Sequence, residues 1–89
     1  VKYRFRFLES ARRELCAIER QDAMRILTAL TVLGNDPYAP GLDVKKLSGH
    51  DDLYRLRVGR YRVAYTVDNN VLVILVVKVG WRKDIHRGL

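Results

Sequence analysis

Residues 3 to 7 read Tyr-Arg-Phe-Arg-Phe, aromatic and charged in strict alternation. A period of two predicts a strand that shows its aromatic side chains to one face. Ser10 stands where an N-cap would open the next element, and Ala11, Leu15 and Ile18 follow at helical spacing, with Arg12, Arg13 and Glu19 elsewhere on the wheel. A second helix is predicted from about Asp22 to Leu33, with the apolar stripe Ala23, Ile26, Leu27, Leu30 and Leu33. Gly34 reads as its C′ residue and Pro37 confirms the stop. Cys16 and Met24 read as ordinary packing residues.

Residues 35 to 52 hold both prolines and several polar positions, which predicts a loop with one short turn. Three strand patterns follow without a helical interruption: Leu53 to Val58, Tyr61 to Val67 and Val71 to Val79. Gly59-Arg60 and Asn69-Asn70 are two-residue connections of the hairpin type. The last of the three strands is apolar on both faces and belongs in the middle of a sheet. The stretch from Trp81 to Leu89 is polar and reads as a short final turn or helix. The order β-α-α-β-β-β predicts an α+β domain over residues 1–89: an antiparallel sheet with two helices packed on one face.

Pairing across Gly59-Arg60 sets Val58 against Tyr61, Arg57 against Arg62, Leu56 against Val63 and Arg55 against Ala64. Tyr54, Leu56, Val58, Tyr61, Val63, Tyr65 and Val67 then share the helix-bearing face. Arg55, Arg57 and Arg62 share the other. Like charges directly opposite one another destabilise a strand pair by ~0.2–1 kcal/mol, and no carboxylate lies in either strand to relieve them. Beside the small Ala64, three guanidinium groups on a rigid sheet match a phosphate, which each can grip with two parallel N–H donors. A solvated face paired to acids such as Asp51 or Asp84 is the plainer alternative.

Composition supports an anionic partner. Among 89 residues, 17 are Lys or Arg and 10 are Asp or Glu, for a net charge of +7 and a pI near 10.0. Twelve of the seventeen cations are Arg and five are Lys, and Arg is the side chain whose planar fork fits phosphate. One cysteine cannot make an internal disulfide, and His50, His86 and Cys16 have no zinc-ligand spacing. No metal or cofactor is expected. The longest apolar run, Val71 to Val77, falls well short of the roughly 20 residues that span a bilayer. Arg4 and Arg6 break the N-terminal apolar pattern, so no secretory leader is expected there and a cytoplasmic, membrane-free setting is.

The tail adds candidate chemistry. Arg82 falls one step past the last strand, where it can lean back over the sheet, and His86 lies four residues on. Arginine stabilises charge but does not shuttle protons; His86 is the nearby side chain that does so near neutral pH.

These residues resemble the RelE/ParE superfamily of bacterial toxins, the toxin half of toxin–antitoxin pairs. The resemblance is carried by Phe7-Leu8-Glu9-Ser10-Ala11 and Lys45-Lys46-Leu47-Ser48-Gly49. It is strongest in Tyr54-Arg55-Leu56-Arg57-Val58-Gly59-Arg60-Tyr61-Arg62-Val63-Ala64-Tyr65, and it closes with Val79-Gly80-Trp81-Arg82-Lys83-Asp84-Ile85-His86-Arg87. The RelE branch consists of ribosome-dependent endoribonucleases that cut messenger RNA in the A site. Arg55 and Arg57 match its basic pair on the second strand, Arg62 its arginine on the third, and Arg82 its arginine after the last. His86 stands where the family usually has a tyrosine.

The resemblance implies attack of an RNA 2′-hydroxyl on the adjacent phosphorus, giving a 2′,3′-cyclic phosphate and a 5′-hydroxyl. Arg55, Arg57, Arg62 and Arg82 would hold the transition-state charge and His86 would protonate the leaving 5′-oxygen. Asp43, His50, Asp51 and Asp52 are all open as general base. Lys45, Lys46, Arg60, Trp81, Lys83 and Arg87 are the expected further RNA contacts. The implied partners are the 70S ribosome with its mRNA, and a cognate antitoxin whose acidic C-terminal segment covers the toxin in a hetero-oligomer. Two other readings stay open: a ParE-like inhibitor of DNA gyrase, and a non-catalytic RNA-binding module.

Overall fold

The computed structural model describes residues 2–47 and 53–81. The chain runs β1 (Arg4–Phe7), α1 (Glu9–Ala17), α2 (Arg20–Asn35), β2 (Val44–Lys46), β3 (Leu53–Val58), β4 (Tyr61–Asp68) and β5 (Val73–Trp81). The expected α+β class holds, with helices before the main run of strands. The five strands form one sheet in the order β1-β5-β4-β3-β2.

The sheet is mixed rather than purely antiparallel. β3, β4 and β5 form an antiparallel meander, but β1 lies parallel to β5, with Arg4 beside Val73 and Phe7 beside Val76. Two helices intervene between β1 and the meander, and a crossover of that length delivers the chain back in parallel. The loop expected over 35 to 52 contains the short strand β2, whose Val44, Lys45 and Lys46 pair with Leu56, Arg55 and Tyr54. Three residues are too few for an alternation to stand out from a loop.

Both helix starts also differ from expectation. α1 begins after Leu8, whose side chain makes no cap, and Ser10 lies inside the first turn. α2 runs from Arg20 to Asn35, so Gly34 is an internal, buried residue and not a C′ glycine. Its role is contact: a Cβ added there would come within 2.6 Å of Phe5 Cε2, and its carbonyl accepts the Tyr3 N–H at 2.7 Å.

The core lies between the helices and one face of the sheet. Ile26, Leu30 and Leu33 from α2 meet Leu56, Tyr61, Val63, Tyr65, Ile74, Val76 and Val79, with Ala11 from α1. Each fully buried aliphatic side chain contributes ~1.5–3 kcal/mol. The face predicted for the apolar residues of β3 and β4 is the face observed. Leu27 and Met24, expected to pack, are exposed at 41% and 56%, Val32 of the same helix is exposed as well, and Cys16 is exposed rather than packed. The stripe that meets the sheet is narrower than the apolar residues in the helix.

α1 covers the part of the β5 edge that β1 is too short to reach. Leu8 N–H donates to Val76 O at 3.0 Å, the last backbone bond between the two. Beyond it Glu14 takes over: Oε1 accepts the Val79 N–H at 3.1 Å and Oε2 the Lys78 ammonium at 3.3 Å. A carboxylate thus caps an edge that would otherwise be open to pairing. The β4–β5 connection is longer than two residues, spanning residues 69–72. Asp68 Oδ1 accepts the N–H groups of Asn70 and Val71, and Leu72 takes a left-handed φ of 55°. No helix of the described residues is long and apolar enough to cross a membrane.

Candidate functional site

The face of the sheet away from the helices carries the cations. Directly paired residues share a face, so the register builds two rows across it. One runs Lys45, Arg55, Ala64, Lys78 through β2, β3, β4 and β5; the other runs Arg57, Arg62, Gly80 through β3, β4 and β5. Asp43 extends the second row, because its carbonyl accepts the Arg57 N–H at 2.9 Å just before β2 begins. These two rows therefore bring five cations and one carboxylate together across four strands, around the small residues Ala64 and Gly80.

The β3–β4 turn fixes this register. Val58 faces Tyr61 across Gly59-Arg60, and Gly59 has φ +57°, the left-handed conformation a two-residue hairpin needs at its first central position. Arg57 and Arg62 are direct partners, as the sequence pattern predicted. The next irregularity is on β5. Ala64 pairs with Lys78 but Tyr65 pairs with Val76, so Val77 is an extra residue in that strand. Val77 packs with Leu47 against Leu53 and Ala64, a small apolar cluster beside the basic rows.

The three arginines have different surroundings. Arg57 is the most open, with a side chain 56% exposed, and its Nε lies 3.6 Å from Asp43 Oδ2. The Arg55 side chain is 15% exposed, its Nη2 is 3.7 Å from Asp43 Oδ1, and its Nε is buried without a hydrogen-bond partner among the described residues. Arg62 is buried, and its Nη1 donates to the carbonyls of Gly59 at 2.9 Å and Tyr61 at 2.8 Å. It belongs as much to the turn as to the surface. Asp43 is half exposed, and neither of its ion pairs is short enough for a hydrogen bond. Exposed pairs of this kind contribute ~0–1 kcal/mol, so Asp43 screens Arg55 and Arg57 without consuming them.

The expected RNA contacts do not all converge. Lys45 joins Arg55 in the first row, whereas Lys46 pairs with Tyr54 and points to the helix-bearing side. Trp81 pairs with Tyr61 and so lies on that same side; its ring meets Tyr61 edge-on at 6.0 Å, and the Arg60 guanidinium sits 5.6 Å from its centroid. Arg60 and Trp81 form a separate cation–π pair at the end of the sheet. Arg82, Lys83, His86 and Arg87 lie outside the described residues, as do His50, Asp51 and Asp52. Of the basic face, Lys78 was not singled out by the sequence, and Asp43 was singled out only as a candidate base in a loop. Lys78 is one cation inside an apolar run, and Asp43 shows its place only through its alternation with Lys45 on a strand too short to recognise.

Beneath the basic face, Tyr65 stacks on Tyr54 at 5.8 Å between ring centroids. Burial, reinforced by the neighbouring Tyr54 and Tyr38, pushes the Tyr65 phenol well above its ordinary value of 10.0. It is a neutral core residue at any physiological pH.

The family model that describes the ParE toxin of the type II toxin–antitoxin system parDE matches residues 5–86. The chain belongs to the RelE/ParE superfamily of toxins. Among solved structures, this toxin chain is similar to the archaeal RelE–RelB complex from Pyrococcus horikoshii OT3. Identity there is 32%, the TM-score is 0.78, and 92% of this chain and 97% of that chain are covered. The intact E. coli RelBE toxin–antitoxin complex gives 27% identity and a TM-score of 0.75, with 89% and 95% covered. Toxin RelE3 of Methanocaldococcus jannaschii is 35% identical over 46 residues, which make up 52% of this chain and 44% of that protein. The toxin chain spans about half the length of the curated relatives it matches.

Proposed function

We propose that this toxin is a ribosome-dependent endoribonuclease that cleaves mRNA in the A site and so inhibits translation. The observation that carries the reading is the register that gathers Arg55, Arg57 and Arg62 with Lys45 and Lys78 on one sheet face. The 2′-oxygen attacks phosphorus, the bond to the 5′-oxygen breaks, and a 2′,3′-cyclic phosphate and a 5′-hydroxyl result. Negative charge grows on the non-bridging oxygens in the transition state. Guanidinium groups fixed on strands meet that charge without reorganising, an effect worth ~2.7–4 kcal/mol per donor in comparable oxyanion sites. In this reading Arg55 and Arg57 of β3 contact the phosphate directly, and Arg62 holds the turn that follows β3. Arg82 adds charge and His86 protonates the 5′-oxygen, a role that contributes ~10²–10⁴-fold.

The partner in the cell is a cognate antitoxin. Relatives with this fold were solved as RelE–RelB complexes, and an acidic C-terminal segment suits a chain of net charge +7. The protein acts in the cytoplasm, where ribosomes and mRNA are. The gyrase reading draws on the ParE description of the matching family model. One experiment separates the two: translation in a purified ribosomal system with primer extension on the message. Cuts within A-site codons are the expected result. Gyrase-dependent DNA breaks with intact message would replace the nuclease with the ParE function.

A further inference from the structure

A second pair of cations stands on the same sheet face, at its opposite edge. β1 places Arg4 beside Val73 and Arg6 beside Leu75, and Leu75 pairs in turn with Thr66 of β4. Thr66 follows Ala64 and Arg62 at strand period, so Arg4 and Arg6 project from the face that carries Arg55 and Arg57. Both are exposed, and among the described residues neither enters an ion pair. They border an open pocket of about 570 Å³ whose other walls include Thr66, Asp68, Val73 and Leu75. Asp68 shares this face, paired with Val73 beside Arg4, but its Oδ1 accepts the N–H groups of Asn70 and Val71 and it forms no ion pair with either arginine.

We propose that Arg4 and Arg6 form a second phosphate subsite, which grips the RNA backbone away from the scissile bond and sets the path of the strand across the sheet. The inference rests on the RNA reading of the preceding section and extends it. Two like charges two residues apart on one strand face, about 7 Å from each other, add nothing to the fold. A phosphate between them offsets their repulsion, and the guanidinium geometry suits it. From Arg6 to Arg55 the sheet spans three interstrand spacings, about 15 Å. Between them lie the uncharged Leu75, Thr66, Val77 and Ala64, and Lys78, whose ammonium is held by Glu14 at 3.3 Å, so an extended strand can cross with its phosphates held at both ends.

The test is binding of a short single-stranded RNA oligonucleotide, followed by fluorescence anisotropy over a salt series. Three proteins are compared: the unaltered chain, Arg4→Gln with Arg6→Gln, and Arg55→Gln with Arg57→Gln. Loss of one phosphate contact to a single strand lowers the slope of log K against log salt by about 0.7. That decrease is expected for Arg4→Gln with Arg6→Gln, together with severalfold weaker binding at low salt, while Arg4→Lys with Arg6→Lys keeps the slope. An unchanged slope and affinity in the Arg4/Arg6 double variant, beside weakened binding in the Arg55/Arg57 variant, overturns the subsite and leaves the RNA reading standing; the pair then serves only to guard an edge strand. No change in either double variant overturns both. Weaker binding of polyglutamate with RNA binding intact assigns the pocket to an acidic protein and also overturns the proposal.

Discussion

Arg57 and Arg62 are direct partners across the β3–β4 hairpin, yet their guanidinium groups do opposite things. Arg57 reaches outward beside Asp43, while Arg62 folds back and donates to the Gly59 and Tyr61 carbonyls of the turn beside it. The repulsion that a paired Arg–Arg couple would produce is relieved by this divergence. One arginine stays available to a ligand and the other holds the hairpin whose register presents it.

Stability and activity therefore separate at these two positions. Arg62→Ala removes a charged donor from two backbone carbonyls and is expected to cost about 1.5–3 kcal/mol. Arg57→Ala, at an exposed position, is expected to stay within about 0.5 kcal/mol of the unaltered protein. Both variants should lose growth arrest when expressed in bacteria. Urea denaturation read by circular dichroism measures the difference, and equal midpoints for the two variants would refute the structural role of Arg62.

Asp43 competes with any phosphate for Arg55 and Arg57, since it lies 3.7 Å from one and 3.6 Å from the other. Asp43→Asn is expected to tighten RNA binding about two- to fivefold, the equivalent of ~0.5–1 kcal/mol for an exposed pair. If Asp43 were instead the general base, the same change would lower the single-turnover cleavage rate while binding tightened. Measuring affinity and rate on one variant distinguishes a screening carboxylate from a catalytic one.

Much of this arrangement was legible in the sequence because it follows from period-two alternation around one short turn. Once Gly59-Arg60 is read as a two-residue hairpin, the Arg57–Arg62 pairing and the apolar face from Tyr54 to Val67 follow without further information. Non-local facts did not. The parallel seating of β1 depends on how two helices return the chain, and β2 is visible only as the partner of β3. The burial of Arg62 was hidden as well, since alternation assigns a face but not whether the side chain extends from it or bends to a neighbouring carbonyl. Trp81 and Arg60 show the converse. They are near the arginines in sequence, but strand parity sends Trp81 to the other side of the sheet, where Arg60 meets it.

Glu14 ties α1 to the free edge of β5 through the Val79 N–H and the Lys78 ammonium. Glu14→Ala leaves both without that acceptor and is expected to destabilise the protein by about 1–3 kcal/mol. Glu14→Gln keeps an acceptor for Val79 and is expected to recover part of the loss. Amide hydrogen exchange at Val79 is the specific readout: faster exchange in the Ala variant, and intermediate exchange with Gln. Exchange unchanged in both would show that the edge is protected without Glu14.

Gly34 is set by packing rather than by backbone conformation. A methyl group at this position would meet Phe5 Cε2 at 2.6 Å, inside contact distance, and β1 is held to α2 by the Tyr3 to Gly34 hydrogen bond. Gly34→Ala is expected to cost about 1–3 kcal/mol as the Phe5 ring is displaced, despite the better helix propensity of alanine. Pairing it with Phe5→Leu should recover part of that cost in a double-mutant cycle. Strict additivity would mean that the clash is not with Phe5.

Tyr65 gives the fold a pH dependence whose sign follows from its burial. Its phenol is held above the ordinary value of 10.0 because burial disfavours the charged form, with Tyr54 and Tyr38 adding to the effect. In the unfolded chain the same phenol ionises near pH 10. Below that pH both states hold the proton and the group contributes no slope. Above it the unfolded chain loses the proton while the folded one keeps it, so stability falls as pH rises toward the folded value. Denaturant midpoints measured at pH 8, 9, 10 and 11 should decline over the upper part of that series, and Tyr65→Phe should make the decline shallower. An equal decline in the variant would place the alkaline loss on other tyrosines or on the lysines.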